Sequence, residues 1–433
     1  VLRILKAVRP DIQVVLGGPE LSYEWQEREH LRLCDYLIRG EGEVSFYKLC
    51  RDILSGHPPS QRVMLGEAPD VKTMNMPYDL YDDTDIAHRV LYVEASRGCP
   101  FRCQFCLSSL DQKVRNFPLD TFLEQMKSLI DRGARQFKFV DRTFNLAPKI
   151  STRILSFFLE NYREGLFLHF EMVPDRFPVA LREWIERFPE GSIQFEVGIQ
   201  TWNEEVAARI SRRQKNEKIE ENLRYLRNDT TVHLHTDLIV GLPGEDMDSL
   251  AKGFDRLVAL SVQEIQVGIL KRLPGAPIAV HTQEWGMIYS PKPPYEILRN
   301  RQWSFGDLAR MRRFARYWDL IYNSGRFRKS ISFLLAPPSA FYSFLDFSDW
   351  LYDKEQRMHS ISYMRLMERI FEYVQHIGGA KRRIAQDLYE DSCRLDERRR
   401  VPKFLRPYVE EKQFIKKSSL EHVPERQRRH MLG

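Results

Sequence analysis

The 433-residue chain is short of most features that would classify it at a glance. No stretch approaches the roughly 18 uninterrupted apolar residues of a membrane-spanning helix, and the opening VLRILKAVRPDIQ is too short and too charged for a secretory signal. Cysteine is scarce, with six residues, and their spacing is not that of a disulfide framework, so a reducing compartment, the cytoplasm, is the expected location. The formal net charge of +6 is small for the length, which argues against a polycation built to coat nucleic acid. No internal repeat exists beyond an alternation of strand-like and helical segments.

What is present is ample core-forming material, 43% hydrophobic residues, enough for two or three domains. Residues 1–56 read as a piece of an α/β layer, with the short strand QVVLGG, the strand-like DYLIRGEGE and a helix at VSFYKLCRDIL. Residues 57–89, rich in Pro, Asp and Met, read as a linker. From 90 to 290 six apolar strands, VLYVEAS, QFKFVDR, LFLHFEM, IQFEVGI, VHLHTDLIV and EIQVGIL, alternate with helices, which predicts a parallel sheet, either open and doubly wound or a partial barrel. Residues 291–433 read as a mainly helical domain beginning with the long helix ILRNRQWSFGDLARMRRFARYWDLIYNS. Its last thirty residues carry the basic pairs Lys416–Lys417 and RQRR and are expected to fray.

Three of the six cysteines, Cys99, Cys103 and Cys106, fall within eight residues on the loop after the first barrel strand, at the strand end where α/β folds place their active sites. Zinc would want four protein ligands, and no neighbouring His or Cys supplies the fourth. An iron-sulfur cubane held by three thiolates instead leaves one iron open to a substrate or cofactor. The spacing C-x3-C-x2-C, with Phe105 before the last cysteine, resembles the signature of the radical S-adenosylmethionine superfamily.

That resemblance implies a partial (β/α)6 TIM-like barrel, a [4Fe-4S] cluster on the three cysteines, and S-adenosylmethionine as cofactor. Further stretches resemble the superfamily in register. VDRTFN stands where such proteins bind the cofactor's amino group, with Asp141 and Arg142 in place of the usual glycines and Thr143 as an implied cofactor contact. HFEMVP places Glu171 at an acidic cofactor-contacting position, and VGIQTWNEEVAARISRRQ is similar to the fourth-strand region of oxygen-independent coproporphyrinogen dehydrogenases, implying that Gln200 and Arg212 contact ribose and carboxylate. TDLIVGLPGE resembles the fifth-strand motif, with Asp237 toward the nucleoside. On the residues alone, Gln200 also reads as a cap for the helix after Asn203, Asp237 as a solvated strand end, and His233 and His235 as satisfied core histidines alternating with Asp237 on one face.

The first fifty residues resemble the end of a cobalamin-binding domain as it precedes such barrels, incomplete and Rossmann-like, with Gly17 and Gly18 beside the cofactor's tail. Its D-x-H-x-x-G lower-ligand motif is absent, so the chain is read as amino-terminally truncated and cobalamin is expected only in a full-length form. The whole order resembles the cobalamin-associated branch that carries a C-terminal domain of unknown function of the DUF4080 type. The implied activity is reductive cleavage of S-adenosylmethionine with an electron donor such as flavodoxin or ferredoxin, acting on an unidentified substrate. Cobalamin-dependent methyl transfer, a decarboxylase- or cyclase-type hydrogen abstraction and RNA modification are the competing outcomes, the last disfavoured because Cys34, Cys50 and Cys393 do not have the spacing of the second three-cysteine cluster that RNA methylthiotransferases carry. A reading from another class is a non-catalytic, metal-stabilised RNA-binding module whose aromatic helices between Trp303 and Phe347 stack bases, though nucleic acid is not the expected partner.

Overall fold

The computed structural model describes residues 1–26, 28–395, 401–409 and 423–431. Three short strands, β1 (Val15–Leu16), β2 (Tyr36–Arg39) and β3 (Val63–Leu65), make a small parallel sheet in the order β1-β2-β3. β3 lies inside the stretch expected to be a linker. Three residues between polar flanks carry too little alternation to be read as a strand, yet they hydrogen-bond along β2 from Leu37 to Arg39. The core of this unit is minimal: Tyr36, Ile38 and Leu49, with Val15, Ile53 and Met64 against them.

The main sheet has six parallel strands: β4 (Leu91–Val93), then, beyond the hairpin β5 (Ser96–Arg97) and β6 (Arg115–Asn116), β7 (Gln136–Phe139), β8 (Phe167–Met172), β9 (Ile193–Gln200), β10 (His233–Val240) and β11 (Glu264–Ile269). Spatial order follows chain order from β4 to β11. One row of each strand is apolar and faces the surrounding helices. Phe137, Phe139, Phe170 and Phe195 are fully buried there, with the Phe139 and Phe170 rings 4.5 Å apart. The other row is polar, running through Lys138 on β7, His169 and Glu171 on β8, Gln194 and Glu196 on β9, and His233, His235 and Asp237 on β10. A doubly covered parallel sheet is normally apolar on both faces. Here the curled sheet encloses a row of charged groups instead, which is the partial barrel.

The helical domain begins later than the sequence suggested. Ile297–Arg299 is a strand, β13, antiparallel to β12 (Ile288–Tyr289). Asn300 ends it: its side-chain oxygen accepts from Gln302 N and Trp303 N, both 2.9 Å, while its amide donates to Gly241 O at 3.0 Å. The helix Phe305–Trp318 then starts in a Ser304–Asp307 capping box. Helices Ala340–Glu355, Tyr363–His376 and Lys381–Leu395 follow. Phe254 from the barrel helix Met247–Ala259 packs edge-on against Phe314 and Trp318, centroids 5.2 and 4.6 Å away, so barrel and helical domain share one core. Trp303, Phe314, Trp318, Phe341 and Phe344 are buried, and buried rings cannot stack bases.

Within the last thirty residues, expected to fray, one described segment is ordered. Glu425–Met431 is a helix seated on the amino-terminal end of the barrel, where Gln427 Nε2 donates to Gln194 Oε1 at 2.5 Å. RQRR lies on this helix, whereas Lys416 and Lys417 fall outside the described residues. Among the described residues no helix is long and apolar enough to cross a membrane.

Candidate active site

The carboxyl ends of the barrel strands open on a cavity of about 190 Å³. One wall is the cysteine loop, and its shape is set by three anchors. Asp141, buried at the end of β7, accepts from Ala95 N at 3.0 Å and Ser96 Oγ at 2.5 Å, and burial pushes its pKa up to about 6 against those bonds. Gly98 has φ +97°, and a side chain there would meet Lys113 O at 2.4 Å. Gln104 is held on both sides, its N donating to Ile210 O at 3.0 Å and its O accepting from Ile278 N at 2.8 Å. Cys99, Cys103 and Cys106 all line the cavity. Burial raises the Cys99 and Cys103 thiols, and Arg212 Nη1 stands 3.6 Å from Cys103 Sγ, where it would favour the thiolate.

The facing wall comes from β8, β9 and β10. Gln200 closes β9 with φ +71°, just beyond a register shift opposite Asp237 and Leu238. Its amide fills the space beside Gly198, where a Cβ would lie 2.4 Å from Gln200 Nε2. A residue other than glycine held in left-handed backbone costs about 1–3 kcal/mol and persists where its surroundings over-determine it. Arg212 donates to Gly198 O and, at 2.7 Å, to Gln214 Oε1. Glu171 pairs with Arg142 at 2.8 Å, and burial still pushes its pKa up. Deeper in, Glu196 meets His169 Nε2 at 2.9 Å and Lys138 at 3.6 Å. The hydrogen bond from His169 outweighs burial and holds Glu196 at about 2. Burial raises Asp237, whose Oδ1 lies 3.4 Å from His235 Nε2; both atoms are buried without a hydrogen bond.

The structure therefore brings Phe105, Thr143, Glu171, Gln200, Arg212 and Asp237 onto one cavity with the three cysteines. The capping alternative for Gln200 does not hold, because Asn203 caps its own helix through Glu205 N and Val206 N. Asp237 is buried and not a solvated strand end. His235 abuts the cavity floor through Asp237, while His233 points to the opposite end of the barrel. Gly17 and Gly18 stand apart from the cavity, at the carboxyl end of β1, with Gly40 after β2 and Gly66 after β3. Glu196, Arg213 and Gln214 also line the cavity and were not singled out in the sequence. Period-two counting back from Gln200 through Gly198 places Glu196 on the same face.

The N-terminal unit sits beside this mouth. Arg97, on the hairpin that leads to the cysteines, binds Glu94 through two nitrogens at 2.9 and 3.0 Å, Glu41 at 2.8 Å and Glu43 at 2.7 Å. Arg115 on β6 pairs with Glu41 as well. Tyr23 packs on Gly275, and Arg272 reaches Glu24 at 2.7 Å.

The donor set suits an iron-sulfur cluster better than a single ion. Among the described residues the only His, Cys, Asp or Glu trio with ligand atoms within 4.8 Å of one another lies elsewhere, so the three thiols are too spread to share one metal. A cubane takes one thiolate at each of three corners. The unbonded Asp237 Oδ1 and the strained Gln200 amide offer polar contacts to a ligand beside it.

Comparison with known proteins agrees. Residues 93–257 match the radical SAM superfamily model, and residues 283–430 match a protein family of unknown function, DUF4080. An uncharacterized methyltransferase of Pyrococcus horikoshii is 29% identical over 191 residues, covering 38% of this chain and 40% of that protein. The ribosomal protein uS12 methylthiotransferase RimO of Geobacter sulfurreducens is 27% identical over 163 residues, 36% of each chain. The chain thus spans two-fifths or less of the length of these curated relatives. Among solved structures, the radical S-adenosylmethionine methyltransferase TsrM of Kitasatospora setae superimposes with TM-score 0.54 at 17% identity, covering 68% of this chain and 64% of TsrM. The cobalamin-dependent S-adenosylmethionine radical enzyme OxsB gives 0.56 at 14% identity, covering 90% and 68%. At these identities the likeness is one of fold.

Proposed function

Because the chain joins a radical SAM domain to a DUF4080 domain, we propose that it is an enzyme that holds a [4Fe-4S] cluster on Cys99, Cys103 and Cys106 and cleaves S-adenosylmethionine reductively, and that with a complete cobalamin-binding domain it transfers a methyl group to an unreactive carbon by way of cobalamin. The observation that carries the first part is the meeting of three thiols with Glu171, Gln200, Arg212 and Asp237 in one cavity. Held by Cys99, Cys103 and Cys106, the cluster would supply the electron for reductive cleavage of the cofactor's sulfonium. The chain's own residues do the positioning. In this reading Arg212 meets the cofactor's carboxylate, Gln200 its ribose and Asp237 the nucleoside, Thr143 lies by the amino group, and Glu171 is a further acidic contact to the cofactor. Glu196, fixed by His169 and Lys138, holds a carboxylate on the cavity floor.

The methyl-transfer reading rests on the N-terminal unit. Gly17–Gly18, Gly40 and Gly66 follow the carboxyl ends of its three parallel strands, the edge where α/β sheets hold ligands. Around Gly18 and Gly40 a Cβ would meet nothing within 4 Å, so a ligand could approach the backbone closely. The Arg97 and Arg115 pairs with Glu41 and Glu43 hold that edge beside the cysteine loop. The substrate is read as a small molecule, the electron donor as a flavodoxin or ferredoxin, and the location as the cytoplasm.

Anaerobic reconstitution should load about four irons per chain, and dithionite with S-adenosylmethionine should then yield 5′-deoxyadenosine without nucleic acid. Stoichiometric zinc with no iron uptake would overturn the reading. Hydroxocobalamin bound by the protein and labelled methyl recovered in a product support methyl transfer. 5′-Deoxyadenosine with cobalamin bound and no methyl transferred supports hydrogen abstraction.

A further inference from the structure

At the barrel end remote from the cysteines, three metal-binding side chains meet from three distant segments: His233 at the start of β10, Glu264 at the start of β11, and His430 on the helix Glu425–Met431. Their ligand atoms all lie within 4.8 Å of one another, and among the described residues no other such group occurs. His233 Nε2 is 2.9 Å from Glu264 Oε1, and the His233 and His430 rings stand edge-on with centroids 5.1 Å apart.

The remaining valences are already committed in the manner of a metal site. His430 Nε2 lies 2.9 Å from Asn323 O, a carbonyl, so that nitrogen carries the proton and Nδ1 keeps its lone pair. Metal-bound histidines commonly donate their second N–H to a backbone carbonyl, which fixes ring and tautomer. Arg426 holds Glu264 Oε2 at 2.8 Å, leaving Oε1 for the metal. We propose that His233 Nε2, Glu264 Oε1 and His430 Nδ1 bind one divalent transition-metal ion of the zinc class.

Two imidazoles with one carboxylate suit zinc and its neighbours, whereas magnesium and calcium want oxygen ligands. The ion replaces the hydrogen bond between His233 Nε2 and Glu264, and the ring proton moves to His233 Nδ1. An adjoining cavity of about 260 Å³, reached past Thr230 and Gln427, leaves room for a water as fourth ligand. The ion would act as a clasp. A seven-residue helix does not hold itself in water, and this one is also held at the barrel base by Gln427 on Gln194, Arg426 on Asp319 and Glu264, His430 on Asn323 O, and Arg394 and Arg328 on the backbone carbonyls of Arg429 and His430, contacts to which the ion would add.

The test uses protein with its iron-sulfur cluster assembled, titrated with Zn2+ and then gel-filtered. Wild type should retain about one zinc per chain with its iron unchanged, as the single open site predicts. His430→Gln should keep the iron but lose zinc, and His430→Cys, which restores a zinc ligand, should recover it. Zinc should slow limited proteolysis of the C-terminal tail several-fold in wild type and not in His430→Gln. Cobalt in place of zinc should give ligand-field absorption that His430→Gln lacks. Equal zinc retention by wild type and His430→Gln, or no retained zinc and no protection in wild type, overturns the site and leaves the trio a hydrogen-bonded cluster. Neither result bears on the cysteine cluster, because iron content is read separately.

Discussion

At the mouth of the barrel the inward side chains of β8, β9 and β10 face a cavity, with Asp237 Oδ1 and His235 Nε2 unbonded and Gln200 held at positive φ. At the base the inward side chains of the same sheet, Gln194, His233 and Glu264, are met by Gln427, His430 and Arg426 from the chain's own last helix. One alternation of polar and apolar residues builds both ends. The difference shows that a polar barrel interior stays an open cavity where no further segment covers it and is closed over where the chain brings a partner segment to it.

The largest expected effect breaks the mouth. Cys103→Ala should abolish iron loading and S-adenosylmethionine cleavage together, measured by iron content and 5′-deoxyadenosine, while the docked C-terminal helix keeps its protease resistance. A smaller effect concerns the anchor under the cysteine loop. Burial puts Asp141 at about 6, so between about pH 4 and 6 the folded state binds a proton that the unfolded chain does not. The contribution of Asp141 to stability is therefore full below pH 4 and falls by roughly 3 kcal/mol as the pH rises through 6. Asp141→Asn should remove that slope, so its stability relative to wild type, followed by denaturant unfolding, should rise over this range and level off above it.

A matched pair sharpens the comparison at equal energy. Arg212→Ala should weaken S-adenosylmethionine binding by about 1.5–3 kcal/mol with iron content intact. His233→Leu removes one of the partners of the buried Glu264, leaving Arg426, and should cost a similar 1.5–3 kcal/mol, but in unfolding free energy, with cofactor affinity unchanged. Loss of cofactor affinity in His233→Leu would show the two ends to be coupled. The smallest effect is at the seam with the N-terminal unit. Each partly exposed ion pair of Arg97 contributes about 0.2–1 kcal/mol, so Arg97→Ala should speed proteolysis within residues 1–65 modestly and more at low salt than at high.

Legibility followed the range of the signal. The strands of the barrel were readable because QFKF, FLHFEM and HLHTDLIV alternate within a few residues, and the cysteine loop because its spacing is local. β3 was not, since three residues carry no period. The break at Asn300 was hidden because a helical pattern resumes directly after it, and only the bond from its amide to Gly241 O, 59 positions away in sequence, shows why the chain turns. The docking of the last helix was opaque for the same reason. RQRR reads as a solvated basic run, and its partners Gln194 and Glu264 lie more than 150 residues upstream.

The sequence by itself determined a three-thiol loop at the end of a parallel strand, six strands with one polar face, and a mostly helical C-terminal third. Local sterics and hydrophobic period act over a few residues and need no knowledge of closure. Tertiary structure alone decided which polar residues share a space. Curling the sheet put Glu196 under Gln200 and Asp237, seated the glycine edge of the N-terminal unit beside the cysteines, and brought His430 to His233 and Glu264. A buried charge is tolerable only beside its partner, and partners hundreds of residues apart are chosen by how the barrel closes and by no pattern along the chain.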